Sequence, residues 1–198
     1  MTAGSVDPAL AEADRARLMD RLQALVRVPS VGVDPARAGD MEAARRLIEG
    51  WIAEAGFTGQ RRLEAASGGQ PALYAERLDA PGAPTLLVYA HYDVQPPEPL
   101  DWWLSPPFEP TIRDGRIYAR GIGDNKGQHF AQLLALESHL AVTGTLPCNV
   151  IVLLEGEEEI GSPRIEEFVA ANADRLVVQG NPDLLVPGQR IVLPEVAS

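Results

Sequence analysis

The stretch TLLVYAHYDVQP, Thr85 to Pro96, decides the fold. Thr85 to Ala90 is mostly apolar and partly β-branched, which predicts a buried strand of an α/β sheet. The run stops at His91-Tyr92-Asp93, so an imidazole and a carboxylate stand where a buried strand meets solvent. Ligands of open α/β sheets collect at the carboxyl ends of strands, so partners for His91 are sought at the ends of other elements. Two places supply them. The Gly-rich loop ARGIGDNKG, Ala119 to Gly127, carries Asp124, and the apolar run Asn149 to Leu154 leads into EGEEEIGSP with Glu157, Glu158 and Glu159.

Outward from this stretch, helical and strand-like patterns alternate. Pro8 to Val26 places Leu18, Leu22 and Leu25 on one helical face. After a Gly- and Pro-bearing loop, Asp40 is expected to cap a second helix, with Ala44, Leu47, Ile48, Trp51 and Ile52 as its core stripe and Gly56 as its end. Gln60 to Glu64 and Ala72 to Leu78 read as short strands around Gly68-Gly69. A Pro-rich loop from Pro96 to Pro110 carries Trp102 and Trp103, which either shape a substrate pocket or pack the loop onto the sheet. Thr111 to Tyr118 reads as a hairpin about Asp114-Gly115. A helix is expected from Lys126 to about Val142, with Phe130, Leu133, Leu134 and Leu140 inward and His129 and His139 solvated. Another follows Pro163, with Ile165 and Phe168 inward, and Leu176 to Val178 reads as a last strand. The fold class is therefore α/β, a mostly parallel sheet with helices on both faces. The expected division is a flexible N-terminus over 1–7, a catalytic-domain portion over 8–178 and a divergent tail over 179–198.

The totals bound the function. The 198 residues are enough for one real core, and 45% hydrophobic content excludes a disordered chain. A net charge of -11 argues against nucleic acid and anionic membrane surfaces as partners. Cys148 is the single cysteine, which excludes an intrachain disulfide and reads as a small core residue of a protein in a reducing compartment. Acidic residues precede any long apolar run, so neither a signal peptide nor a membrane span is expected, and the location read from the sequence is cytoplasmic.

A histidine among several carboxylates suits Zn²⁺, and also Mn²⁺ or Co²⁺. Two cations sharing a carboxylate bridge would form a cocatalytic centre. Asp93 reads as the acceptor that fixes the tautomer of His91. Within the Glu cluster, one carboxylate can bind metal while its neighbour takes a proton. The bland alternatives are that Asp124 is only a turn residue and that Glu157 favours a helix N-terminus. GIGDNKG is neither a P-loop nor a dinucleotide fingerprint.

Three motifs, AHYDVQP, PFEPTIRDGRIYARGIGDNKG and LLEGEEEIGS, occur in the order and spacing of a known family. The chain resembles the cocatalytic zinc peptidases that include carnosine-type dipeptidases, aminoacylase, acetylornithine deacetylase and glutamate carboxypeptidase. The resemblance runs from Pro8 to Val178, and the Val-Gln-Pro after Asp93 and the Trp-containing loop look most like the dipeptidase branch. It implies two zinc ions, with His91 a ligand of one, Asp124 bridging both and Glu159 binding the second. It further implies that Glu158 is the general base, that Asp93 is the acid that orients His91, and that Gly127 lets the next helix pack closely. The implied reaction is amide hydrolysis of a dipeptide or small peptide by a metal-activated water, and relatives of this kind are often homodimers.

The sequence also departs from the family. A further acidic ligand is expected after Val178, where Gln179-Gly180-Asn181 stands, with Asp183 nearby. The family's C-terminal histidine, its dimerisation domain and the end of its catalytic domain have no counterpart, so the domain is expected to be truncated at its C-terminal end, with exposed apolar surface and a tendency to self-associate. Two alternatives follow: N-acyl amino acid deacylation at the same centre, or an inactive remnant without a complete metal site.

Overall fold

In a computed structural model, residues 8–176 of the chain are described, and the account below refers to these residues. Helix α1 (Pro8–Val26) is followed by a 3₁₀ turn (Pro35–Arg37) and helix α2 (Ala38–Glu54). Strands β1 (Thr58–Leu63), β2 (Ala72–Arg77) and β3 (Thr85–His91) precede a short hairpin of β4 (Thr111–Arg113) and β5 (Arg116–Tyr118). Helix α3 (Lys126–Thr143) leads to β6 (Asn149–Glu155), a 3₁₀ turn (Glu158–Ile160) and the short helices α4 (Ile165–Ala171) and α5 (Ala173–Leu176).

The sheet is ordered β1-β2-β6-β3. β3 and β6 are parallel, with His91 opposite Glu155, whereas β1–β2 and β2–β6 are antiparallel. The fold is α/β as expected, but the mostly parallel sheet is corrected to a mixed one. The reason is connectivity. Short links suit antiparallel pairs, as between β1 and β2, while a parallel pair needs a crossover, which the long path through α3 provides for β3 and β6.

Helices do cover both faces. Leu73, Ala75, Val88, Ala90, Val150, Val152 and Leu154 meet Leu25 of α1, Met41, Ala44, Ile48 and Ile52 of α2, and Leu133 of α3. The alternate residues Ala72, Tyr74, Ile151 and Leu153 pack with Phe168 and Leu176 on the opposite face. Period-two alternation in β2 and β6, which are buried on both faces, thus serves two cores, whereas β3 is buried only in part, with Leu86 and Tyr89 exposed. Cys148 is a half-buried neighbour of the first core, and Trp51 lies edge-on to Phe130 at 5.5 Å.

Three local expectations change. Asp34, not Asp40, supplies the capping carboxylate: it accepts from Ala36 N–H at the 3₁₀ turn that feeds α2, and Asp40 lies within the first turn of α2. Leu176 ends a helix and is not in a strand, because Asn172 turns the chain helically again; Val177, Val178, Asp183 and the proposed tail lie outside the described residues, as do residues 1–7. His129 is fully buried, whereas His139 is exposed as expected. No helix among the described residues is long and apolar enough to cross a membrane.

Two predictions concern this framework. Arg62 of β1 ties Glu42 and Glu49 of α2, each through a 2.7 Å bond. The Arg62 guanidinium, helped by Arg46 and Arg45 and opposed by burial, holds the Glu42 carboxyl at about 2 against an ordinary 4.5. A depressed folded-state pKa stabilises above the unfolded value and loses that stability as pH falls towards the folded one. Acid unfolding of wild type should therefore steepen between pH 4.5 and about 2, and Glu42→Gln should flatten that part of the curve in circular dichroism. The second prediction concerns Gly156, where a Cβ would lie 2.3 Å from Tyr92 Oη. Gly156→Ala should cost about 2 kcal/mol and lower Tm by roughly 5 °C. Gly50→Ala, on the exposed side of α2 with nothing within 4 Å of the added Cβ, should raise Tm instead.

Candidate metal centre

The carboxyl ends of β3 and β6 lie side by side because the two strands are parallel and in register. β3 delivers His91 and Asp93, and β6 delivers the Glu cluster. Tyr92 N–H donates to Glu155 O at 2.9 Å, which carries the pairing one residue past β3. Tyr92 is fully buried; its hydroxyl donates to Pro71 O at 2.6 Å and accepts from Arg45 Nη1 at 3.0 Å. Ser30 accepts from Val94 N–H through its carbonyl and donates through Oγ to Tyr92 O, so the loop after α1 walls this strand end. Gly32 fits closely there, since a Cβ would lie 3.0 Å from both Asp93 Cβ and Gly156 O and the neighbours would have to give way slightly.

Ligand atoms of His91, Asp124 and Glu159 all lie within 4.8 Å of one another. His91 Nε2 stands 3.1 Å from Asp124 Oδ1 and 3.6 Å from Glu158 Oε2. On the other side of the ring, Nδ1 lies 3.3 Å from Asp93 Oδ1 and 3.2 Å from the Asp93 carbonyl oxygen. Asp93 is wholly buried, and its Oδ2 accepts from Glu159 N–H at 3.1 Å. Asp93 therefore orients both the histidine and the segment carrying Glu159: its carbonyl oxygen meets the ring, with Oδ1 an ion-pair neighbour beside it, and its Oδ2 holds the segment. Gln95 donates at 2.9 Å to both the carbonyl and the Oε2 of Glu159. Burial alone would lower the pKa of His91, but Asp93, Glu158 and Asp124 outweigh it and raise it to about 9.

The other acids sort differently. Glu157 is buried and held by Arg164 through bonds of 2.7 and 2.8 Å. Glu157 stands at the N-cap of the Glu158–Ile160 turn, as the helix-N-terminus reading expects, but its carboxylate makes no capping bond and is held by the arginine instead. Glu155 accepts from Tyr89 and from Ser162, and burial raises its pKa. Trp102 is 80% exposed. Trp103 instead pins the Pro-rich loop, its Nε1 donating to Pro97 O at 2.7 Å while Arg120 stacks on its ring.

The Asp124 loop is fixed from behind. Lys126 is fully buried and donates to Leu25 O at 3.1 Å, at the end of α1, and to Val28 O at 2.6 Å, just past it. Burial pushes its pKa down to about 7. Gly127 fits because a Cβ would lie 2.1 Å from Ile122 O, so it is the loop carbonyl that presses on the helix start. The sequence-predicted residues His91, Asp93, Asp124, Glu158 and Glu159 are brought together here. Gln95 and Asn125 carried no signal that singled them out, His129 read as solvated, and the anchoring use of Lys126 was missed.

The motifs that frame this centre have counterparts in known proteins. The chain is 42% identical over 104 residues to the mouse (Mus musculus) Beta-Ala-His dipeptidase, an alignment covering 52% of this chain and 21% of that protein. It is 37% identical over 148 residues to the succinyl-diaminopimelate desuccinylase of Azoarcus sp. (strain BH72), covering 73% of this chain and 37% of that one. The crystal structure of human carnosine dipeptidase 1 superimposes with a TM-score of 0.74 at 29% identity, over 83% of this chain and 36% of that one. The chain thus spans between about a fifth and two fifths of the proteins it matches. The family model for Peptidase family M20/M25/M40 matches residues 87–193, more than half of the chain, and takes in the ends of β3 and β6 and the Asp124 loop between them; the chain belongs to that family.

Proposed function

We propose that this chain carries the metal-binding part of a cytoplasmic metallopeptidase that hydrolyses the amide bond of dipeptides or small peptides. The observation that carries the reading is the convergence of His91, Asp124 and Glu159 ligand atoms within 4.8 Å, with Glu158 beside them. The fit to a divalent cation rests on the donor set. One imidazole and two carboxylates suit zinc, with manganese or cobalt as substitutes, and leave coordination positions open. In a two-ion form, His91, Asp124 and Glu159 would hold the ions, with Asp124 placed between the other two to serve both.

A bound divalent ion supplies Lewis acidity that polarises an amide carbonyl and acidifies water. The chain's own residues do the rest. Asp93 faces Nδ1 and holds the proton there, leaving Nε2 as the electron-pair donor. The same carboxylate fixes the Glu159 backbone, and Gln95 fixes the Glu159 side chain. Glu158 is the general base. Its side chain is 41% exposed, so it can accept a proton from water and return it to a leaving amine. The similarity to a desuccinylase supports N-acyl removal as the second reading, since both reactions break an amide bond.

The test is zinc content after dialysis, taken with release of amino acids from dipeptides and of acid from N-acyl amino acids. Wild type should retain zinc, Glu159→Ala should lose most of it, and Glu158→Gln should retain it while turnover falls at least about a hundredfold. A wild-type chain that retains no zinc overturns the metal reading. Turnover of N-acyl amino acids alone selects the second substrate class.

A further inference from the structure

Among the described residues, β3 has one neighbour in the sheet, β6. Tyr92 N–H donates to Glu155 O and Asn149 N–H donates to Pro84 O, so even-numbered positions along β3 pair with β6. Odd-numbered ones turn their backbone groups to the open edge. His91 is the last of these. An edge N–H and C=O must find water or a side chain. Here both are taken by the first turn of α3. His91 N–H donates to Asn125 Oδ1 at 3.3 Å, and His91 C=O accepts from His129 Nδ1 at 3.1 Å. His129 N–H donates in turn to Asn125 O at 3.0 Å.

The protonation of His129 follows. Nδ1 faces a carbonyl, so it carries the proton, and Nε2 is a bare acceptor with no hydrogen-bond partner among the described residues. Burial of the ring keeps it neutral. An imidazole with one orphaned nitrogen is a poor choice for core filling alone, where an aliphatic side chain would bury no polar atom. What the imidazole provides that an aliphatic residue cannot is a donor for the His91 carbonyl.

We propose that His129, together with Asn125, is a positioning residue of the centre. The pair clamps the His91 backbone onto the helix whose preceding loop carries Asp124, and thereby holds His91 Nε2 and Asp124 Oδ1 at the spacing a shared cation needs. This rests on the reading of His91 and Asp124 as metal ligands.

The test is zinc affinity of the full chain, measured by competition with a chromophoric chelator, alongside thermal unfolding of the zinc-free protein. His129→Asn keeps a donor near the Nδ1 position but loses ring volume. His129→Leu keeps volume but loses the donor. Positioning predicts opposite orders. The Leu variant should unfold at the higher temperature of the two yet bind zinc about tenfold more weakly than wild type, while the Asn variant stays near wild-type affinity. Asn125→Ala, at a half-exposed site, should also weaken zinc about tenfold. Zinc affinities that follow stability, or a folded Leu variant with wild-type affinity, overturn the proposal. If wild type binds no zinc, the metal reading fails separately, and the clamp is read from hydrogen exchange of the His91 amide in the zinc-free protein. Asn125→Ala and His129→Leu should speed that exchange at least tenfold, and an unchanged rate overturns the clamp.

Discussion

The parallel, in-register pairing of β3 with β6 is the constraint on which everything near the site depends. It sets His91 opposite Glu155, and because both chains run the same way, both leave the sheet at the same end. An antiparallel pairing would send the Glu cluster to the far edge. The pairing is costly in topology, since it requires the crossover through α3. That crossover is used: the loop at its start carries Asp124 and its first turn holds the end of β3. One topological requirement thus brings three sequence-distant segments together.

Buried polar groups at this junction are joined through backbone as often as through side chains. Lys126 bonds carbonyls at and just past the end of α1, Ser30 and Val94 bridge the same loop to β3, and Asp93 accepts from the Glu159 backbone. A side chain that holds backbone fixes a segment, whereas one that holds another side chain fixes only a rotamer. The site is accordingly built on segments whose positions are set by the fold, with rotamer control left to Asp93 and Gln95.

Much of this was legible in the sequence, for identifiable reasons. The apolar runs at Thr85–Ala90 and Asn149–Leu154 are both strands, and the acids at their ends stand out against them; Asn149–Leu154 is buried on both faces, whereas Thr85–Ala90 leaves Leu86 and Tyr89 exposed. Sheet direction was not legible, because a buried run reads the same whichever way its neighbour points. His129 was not legible either. One histidine in a helix looks solvated until the edge carbonyl it serves is known, and that carbonyl is exposed only because β3 is the outer strand. The anchoring use of Lys126 was illegible for the same reason: its partners are carbonyls at 98 and 101 residues' separation.

Charge sorting around His91 gives the strongest physical reason to expect a cation there. Arg164 neutralises Glu157, and Glu155 is bound by Tyr89 and Ser162 and pushed by burial towards its neutral form. Lys126, the nearest ammonium in the chain order, points its Nζ to α1 instead. Asp93, Asp124, Glu158 and Glu159 are left gathered about a single imidazole, and the only positive charge that joins them there in the hydrogen bonds and ion pairs of the described residues is the proton that His91 can carry. Several like charges drawn together with one proton among them are unfavourable in a partly buried setting. The fold nevertheless spends Asp93, Gln95, Asn125 and His129 on holding that arrangement in place. Such a cluster is stable in the right circumstance only, and a divalent cation on the open side, where Asp124 is 73% exposed, would answer that repulsion by taking the place of the His91–Asp124 contact while leaving the bonds of Asp93 and Gln95 intact.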